Sequence, residues 1–308
     1  MYARFGDDEE APKMKIGLLD IDRHNFPNLA LMKLSSWYKS NGYQVEFATI
    51  FEHYDKLFKS KVFSFSANDT TCYDAEEIET GGTGYGNFNN LPEKIEHIYP
   101  DYSLYNIDYS LGFSTRGCIR NCSFCIVPKK EGYIKPNAEI YEFWKDQKDL
   151  VFMDNNIVAH DFGLQQIENA IKENIRIDCN QGLDARIIAK DVEIQKLLAR
   201  AKWCNSGIRL ACDHKSQMEP VKKSIEAIRS FTKRKIDFFV YTLIQDDIQD
   251  AIDRIYFMRD MYRVFPFAQP YRDFTTNREP LKIQKQLARW CNMRSIFRSV
   301  EWKDYKKG

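Results

Sequence analysis

From residue 109 onward, short strand-like runs recur about every thirty residues, and helical patterns fill the gaps between them. That spacing is the length of one strand–helix unit of a parallel sheet, and few other architectures accept it. The runs are residues 109–113, 150–153, 175–179, 207–211, 236–242 and 264–268. Between them Ile194, Leu197, Leu198 and Ala201 form one helical stripe, and Ile248, Ile252 and Ile255 form another. A last helix is expected to open at Glu279-Pro280, with proline in its first turn. Six successive units predict an incomplete parallel barrel rather than a closed eightfold one. In such a barrel, functional groups belong at the C-terminal ends of the strands.

The N-terminal part has a related but shorter rhythm. Residues 15–21 read as a buried strand, and Leu31, Leu34 and Tyr38 mark a helix face that stops at Asn41-Gly42. Residues 44–50 and 61–66 read as further strands, so a small parallel sheet is expected. Residues 69–90, with Gly81, Gly82, Gly84 and Gly86, read as loop. A boundary falls near residues 92–100. The expected division is a solvated arm (1–13), a small Rossmann-like α/β domain (14–95), and a partial (β/α)6 barrel with a helical tail (96–308).

A chain of 308 residues, 44% of them apolar, can bury a core in each of two such domains. No apolar run has the length of a bilayer span, so no membrane partner is expected. Residues 1–13 carry four acids and no apolar segment, unlike a secretory signal, and a cytoplasmic location is expected. With 45 Lys+Arg against 44 Asp+Glu there is no overall field to attract nucleic acid. The basic stretch 282–307 leaves such contact open, although a solvated helix face explains it as well. Eight cysteines in an unexported chain point to metal or redox chemistry rather than disulfides.

Three of those cysteines, Cys118, Cys122 and Cys125, form a C-x3-C-x2-C array directly after the first strand of the second domain. Soft thiolates suit iron–sulfur clusters and zinc. Structural zinc takes four ligands, and neither His97 upstream nor Cys179 downstream completes a set nearby. Three thiolates on a four-iron cluster leave one iron open. The alternatives are a zinc knuckle and three cysteines that are merely close.

The array, with Phe124 as the aromatic residue before its last cysteine, resembles the signature of radical S-adenosylmethionine (SAM) enzymes. The resemblance implies that Cys118, Cys122 and Cys125 hold a [4Fe–4S] cluster whose open iron chelates SAM. One electron, from a flavodoxin- or ferredoxin-like donor, then cleaves SAM to methionine and a 5′-deoxyadenosyl radical that acts on a substrate the sequence does not name. The protein's part is position and exclusion of water.

The same resemblance implies cosubstrate contacts at the other strand ends. Asp154 and Asn155 stand where relatives meet the amino group of SAM; a helix N-cap is the alternative. Gln181, Asp184 and Arg186 follow the third strand, where Arg186 either pairs with the SAM carboxylate or bonds to Asp184. Arg209 and Asp213 belong to the fourth strand and its end, where relatives bind ribose; Arg209 pointing outward is the alternative. Cys72, Cys179, Cys204, Cys212 and Cys291 are expected to pack as small apolar residues, with Cys179 and Cys212 at strand ends near the site.

Residues 27–48 resemble part of the cobalamin-binding-like Rossmann domain that precedes many such barrels. The short span before Gly81 favours a reduced domain that no longer holds cobalamin, with His24 as a cobalt ligand the alternative. Two enzyme rivals follow from the resemblance: a cobalamin-dependent radical methyltransferase, and a tRNA methylthiotransferase-like enzyme suggested by residues 125–128 and Glu131-Gly132. A cluster-bearing regulatory protein is the non-enzyme rival.

Overall fold

The computed structural model describes residues 14–23, 26–204, 207–273, 276 and 278–305. The expected arm and His24 lie outside the described residues. The chain divides into two compact units, one ending at Ile107 and the other beginning at Asp108.

In the first unit, strands β1 (Lys15–Asp20), β2 (Gln44–Phe47), β3 (His53–Ser60) and β4 (Asp74–Gly81) form a parallel sheet in the order β2-β1-β3-β4. Helix α1 (Leu29–Ser40) joins β1 to β2; the Asn28 side chain opens it by accepting from Leu31 N at 3.3 Å. Its Leu31 and Leu34 pack on Ile16, Leu18 and Phe58, and it ends at Asn41 as expected.

Two expectations fail here. Residues 61–66 are not a strand: Asp22 accepts from Val62 N (2.6 Å), Phe63 N (3.2 Å) and Ser66 Oγ (2.6 Å), which takes those donors out of any ladder. The third strand lies earlier, at β3. The stretch 69–90 is not all loop either, since β4 runs through it along the edge of the sheet.

The second unit contains all six expected strands: β5 (Ser110–Gly112), β6 (Asp149–Phe152), β7 (Arg176–Cys179), β8 (Ile208–Ala211), β9 (Phe238–Ile244) and β10 (Val264–Pro270). They pair in parallel as two ladders, β5-β6-β7 and β8-β9-β10, and a two-residue strand, Lys202–Trp203, adds to the β7 edge. Among the described residues a single bridge, between Leu183 and Leu210, links the ladders.

Helices α2 (Asp161–Lys172), α3 (Val192–Arg200), α4 (Met218–Ser230), α5 (Ile248–Arg259) and α6 (Lys282–Asn292) follow β6 to β10 in turn. Ile177, Ile208, Leu210, Phe238 and Val240 share one core with Ile167, Leu198 and Ile225 of the helices. The intervening residues Arg209, Phe239, Tyr241 and Phe267 are half-buried on the opposite face, as strand alternation requires. Helix α6 opens two residues later than expected, with Leu281 at its cap. No helix among the described residues is long and apolar enough to cross a membrane.

In α5 the expected isoleucine row packs on the core, Ile255 fully buried and Ile248 and Ile252 partly, and Ala251, Arg254 and Met258 are buried beside it. Arg254 is 1% exposed and donates to Cys212 O (2.6 Å), Leu243 O (2.9 Å) and Asp250 Oδ2 (2.6 Å). It thereby ties the end of β8 to β9. Arg254→Met keeps the bulk but orphans two carbonyls and a carboxylate, and is expected to cost about 3 kcal/mol in urea unfolding.

Candidate functional site

The site is built on the loop that leaves β5. A two-residue antiparallel pair, Thr115–Arg116 with Lys135–Pro136, closes its base, and Cys118 N donates to Gly132 O at 3.2 Å. Gly117 turns the chain with φ +82°, and a Cβ there would stand 2.5 Å from Tyr133 O. Gly117→Ala is therefore expected to cost about 1–3 kcal/mol of strain, read as a lower melting temperature and faster amide exchange at Cys118.

Cys118 and Cys122 are half-buried and Cys125 is exposed, with Cys125 N donating to Cys122 O at 3.0 Å. Burial, followed by the neighbouring thiols, pushes the Cys122 thiol up, and burial likewise raises Cys125. Cys118 Sγ accepts two hydrogen bonds, from Arg120 N (3.3 Å) and Asn156 Nδ2 (3.7 Å).

Among the described residues no three His, Cys, Asp or Glu side chains are drawn together as the ligands of one metal ion. Three soft thiols on one loop, one of them already accepting N–H donors, match what an iron–sulfur cluster takes.

The end of β6 holds this loop at several points. Asp154 accepts from Ser114 N (3.0 Å), Thr115 N and Thr115 Oγ1 (2.7 Å). Burial raises its carboxyl to about 6 despite these donors. Asn155 Nδ2 donates to Glu131 Oε2 (2.8 Å), and Glu131 also accepts from Gly117 N (2.9 Å) and Arg116 Nη1 (3.1 Å). Asn156 reaches Cys118. The helical turn that follows, Ile157–Ala159, takes no side-chain cap. Three consecutive residues therefore clamp the cysteine loop.

A second clamp comes from the end of β7. Asp184 caps a short helix by accepting from Arg186 N (3.0 Å), and also accepts from Arg186 Nε (2.8 Å), Arg186 Nη2 (3.0 Å) and Arg120 Nε (2.8 Å). Burial works against ionisation of Asp184, but the two arginines outweigh it and hold the carboxyl below its usual range. Arg186 thus adopts the Asp184 pairing. Gln181 is exposed and donates to Asn180 Oδ1 (3.1 Å).

Arg209 does not point outward into solvent. It forms a two-pronged ion pair with Asp178 (2.7 and 2.6 Å) and donates to Tyr241 Oη (2.8 Å), which in turn donates to Asn180 O (2.8 Å). Asp213 braces the end of β8 by accepting from Leu243 N (2.9 Å). The ring of Phe124 lies 6.2 Å from that of His214.

Sequence reasoning missed Glu131, Asn156, Asp178 and Tyr241. Only the Glu131-Gly132 pair and the Asn155-Asn156 run carried any local signal. Cys179, Cys212 and Cys291 are buried as expected, with burial pushing Cys212 and Cys291 up to about 12. Cys72 is exposed instead, so the packing expectation fails for it.

No family model matches this sequence, and no curated protein matches it. Among solved structures the chain is similar to TsrM from Kitasatospora setae, a radical S-adenosylmethionine methyltransferase determined with tryptophan substrate and the SAM analogue aza-SAM bound. The TM-score is 0.59 at 11% identity, covering 84% of this chain and 73% of that one. At that identity the likeness is one of fold, and the fold it shares is an α/β architecture built on parallel sheets.

Proposed function

We propose that this chain is a radical SAM enzyme in which Cys118, Cys122 and Cys125 hold a [4Fe–4S] cluster. The observation that carries this reading is the cysteine loop itself. It leaves the first strand of a parallel β/α series and presents three thiols, and Cys118 Sγ accepts from Arg120 N of the loop and from Asn156 Nδ2 at the end of β6. Such a cluster supplies, when bound and reduced, the electron for reductive cleavage of SAM. In this reading the six strands β5–β10 act as one open partial barrel. Residues 14–95 are a reduced Rossmann-like domain that no longer binds cobalamin, with one long helix, α1, joining β1 to β2. A flavodoxin- or ferredoxin-like donor supplies the electron, and the location is cytoplasmic.

The chain's own residues do the positioning. Asp154, Asn155 and Glu131 fix the loop, and Asp184 draws Arg120 and Arg186 to its edge. Arg186, Gln181 and Phe124 keep enough exposure to meet the cosubstrate. The polar atoms of Asp154, Arg209 and Asp213 are engaged in holding strand ends, which argues for a supporting role.

The test is anaerobic reconstitution followed by SAM and dithionite. Iron and sulfide near four per chain, with release of 5′-deoxyadenosine, is the expected result. Colourless protein that takes up zinc instead would falsify the assignment. A second reading, methyl transfer, is favoured by the methyltransferase named above. Corrin absorption bands after loading, or S-adenosylhomocysteine as a product, would select it.

A further inference from the structure

We propose that Asn156 sets the reduction potential of the cluster through its hydrogen bond to Cys118, an inference that rests on the cluster reading above. Asn156 is 3% exposed, and its Nδ2 lies 3.7 Å from Cys118 Sγ. Among the described residues it is the one side chain that donates to any of the three loop thiols; the other donors, Arg120 N to Cys118 and Val127 N to Cys125, are backbone. Cys125 accepts only a backbone N–H, from Val127, and among the described residues no side chain donates to Cys122 or Cys125. The three sulfurs are thus electrostatically unequal.

The residues just before Asn156 are pinned to the loop. Asp154 and Asn155, immediately before it, bind Thr115 and Glu131, so the end of β6 cannot slide along the loop. Its Oδ1 is buried and finds no hydrogen-bond partner. An oxygen turned towards sulfur would meet lone pairs and be repelled, so the nitrogen end faces Cys118 even though the carbonyl goes unsatisfied. A buried polar atom left without a partner in an otherwise braced segment calls for a function. Donation to a ligating sulfur is such a function: it withdraws charge from the thiolate, stabilises the reduced cluster and raises its potential. Asn156 is a positioning and tuning residue in this account, not a catalytic one.

The experiment compares the reconstituted full-length protein with its Asn156→Leu and Asn156→Gln variants by redox titration followed in electron paramagnetic resonance. Asn156→Leu fills the space without a donor. It should keep iron and sulfide content and the visible charge-transfer band, while its reduction becomes about tenfold less favourable, about 59 mV more negative for a one-electron couple. Asn156→Gln, which keeps an amide on a longer arm, should recover part of the shift. An unchanged potential in Asn156→Leu, or loss of its iron, would show a structural role only and overturn the proposal. Wild-type protein that takes up no iron would bring down the cluster reading and this inference together.

Discussion

Cys122→Ala protein, reconstituted anaerobically, is expected to show no iron-dependent absorbance and to release no 5′-deoxyadenosine. The loop supplies three thiols and no described residue stands ready as a substitute. Two thiolates cannot retain a cluster whose remaining iron is open to exchange. Cys291→Ala is the matched control: that cysteine is 2% exposed in the apolar cluster around Trp290, and burial keeps its thiol protonated. It should cost about 1 kcal/mol of stability and leave iron binding unchanged. Equal loss of iron in both variants would mean that folding, not ligation, had been measured.

Asp154→Ala is expected to destabilise the protein by about 3 kcal/mol in urea unfolding and to abolish iron binding as well. The substitution leaves the N–H groups of Ser114 and Thr115 buried without an acceptor, at about 1–3 kcal/mol each. It also frees the loop at its root. The pH dependence has a definite sign. The folded carboxyl titrates at about 6, against 3.8 for the unperturbed group, because burial penalises its charge. The folded chain therefore holds a proton between those values that the unfolded chain has released, so this group's contribution is largest below 3.8 and is lost as pH rises through 6. Asp184, whose carboxyl is held low by Arg186 and Arg120, contributes in the opposite sense and loses stability as pH falls. In Asp154→Ala, the wild type's extra stability on the acid side should vanish. A stability difference that does not change with pH would show that Asp154 is not the group titrating.

The six strands of the second unit were legible because short strand-like segments, most of them rich in apolar residues, recur at the length of one β/α unit with helical patterns between them. In the first unit β3 and β4 were not legible. Their sequences, HYDKLFKS and DAEEIETG, mix charge into every second or third position. Their pairing is set by neighbours: Tyr54 and Leu57 are fully buried only because β1 and β4 flank β3.

At the site, the cysteines could be read because thiol spacing is itself chemistry. Asp154 and Asn155 were placed at the right strand end but given contacts to the cosubstrate, whereas their polar atoms reach the loop that carries the thiols. Asn156 lies 38 residues from Cys118, and no local pattern shows which amide of an Asn-Asn pair turns inward. Asp178 sits mid-strand, where a carboxylate makes sense only once Arg209 of β8 is seen to cross to it.

The position of β4 has a consequence for how copies of this chain behave towards one another. It is an outermost strand, eight residues long, with one row of backbone groups unpaired among the described strands. Such a row is a template on which another chain could lay down a strand. Along it stand Glu76, Glu77 and Glu79, all exposed; Lys56 bridges Glu77 (3.0 Å) and Glu79 (2.9 Å), and the acidic surplus that remains disfavours an identical strand alongside. The acidity that obscured β4 in the sequence is thus of the kind that discourages edge-to-edge pairing.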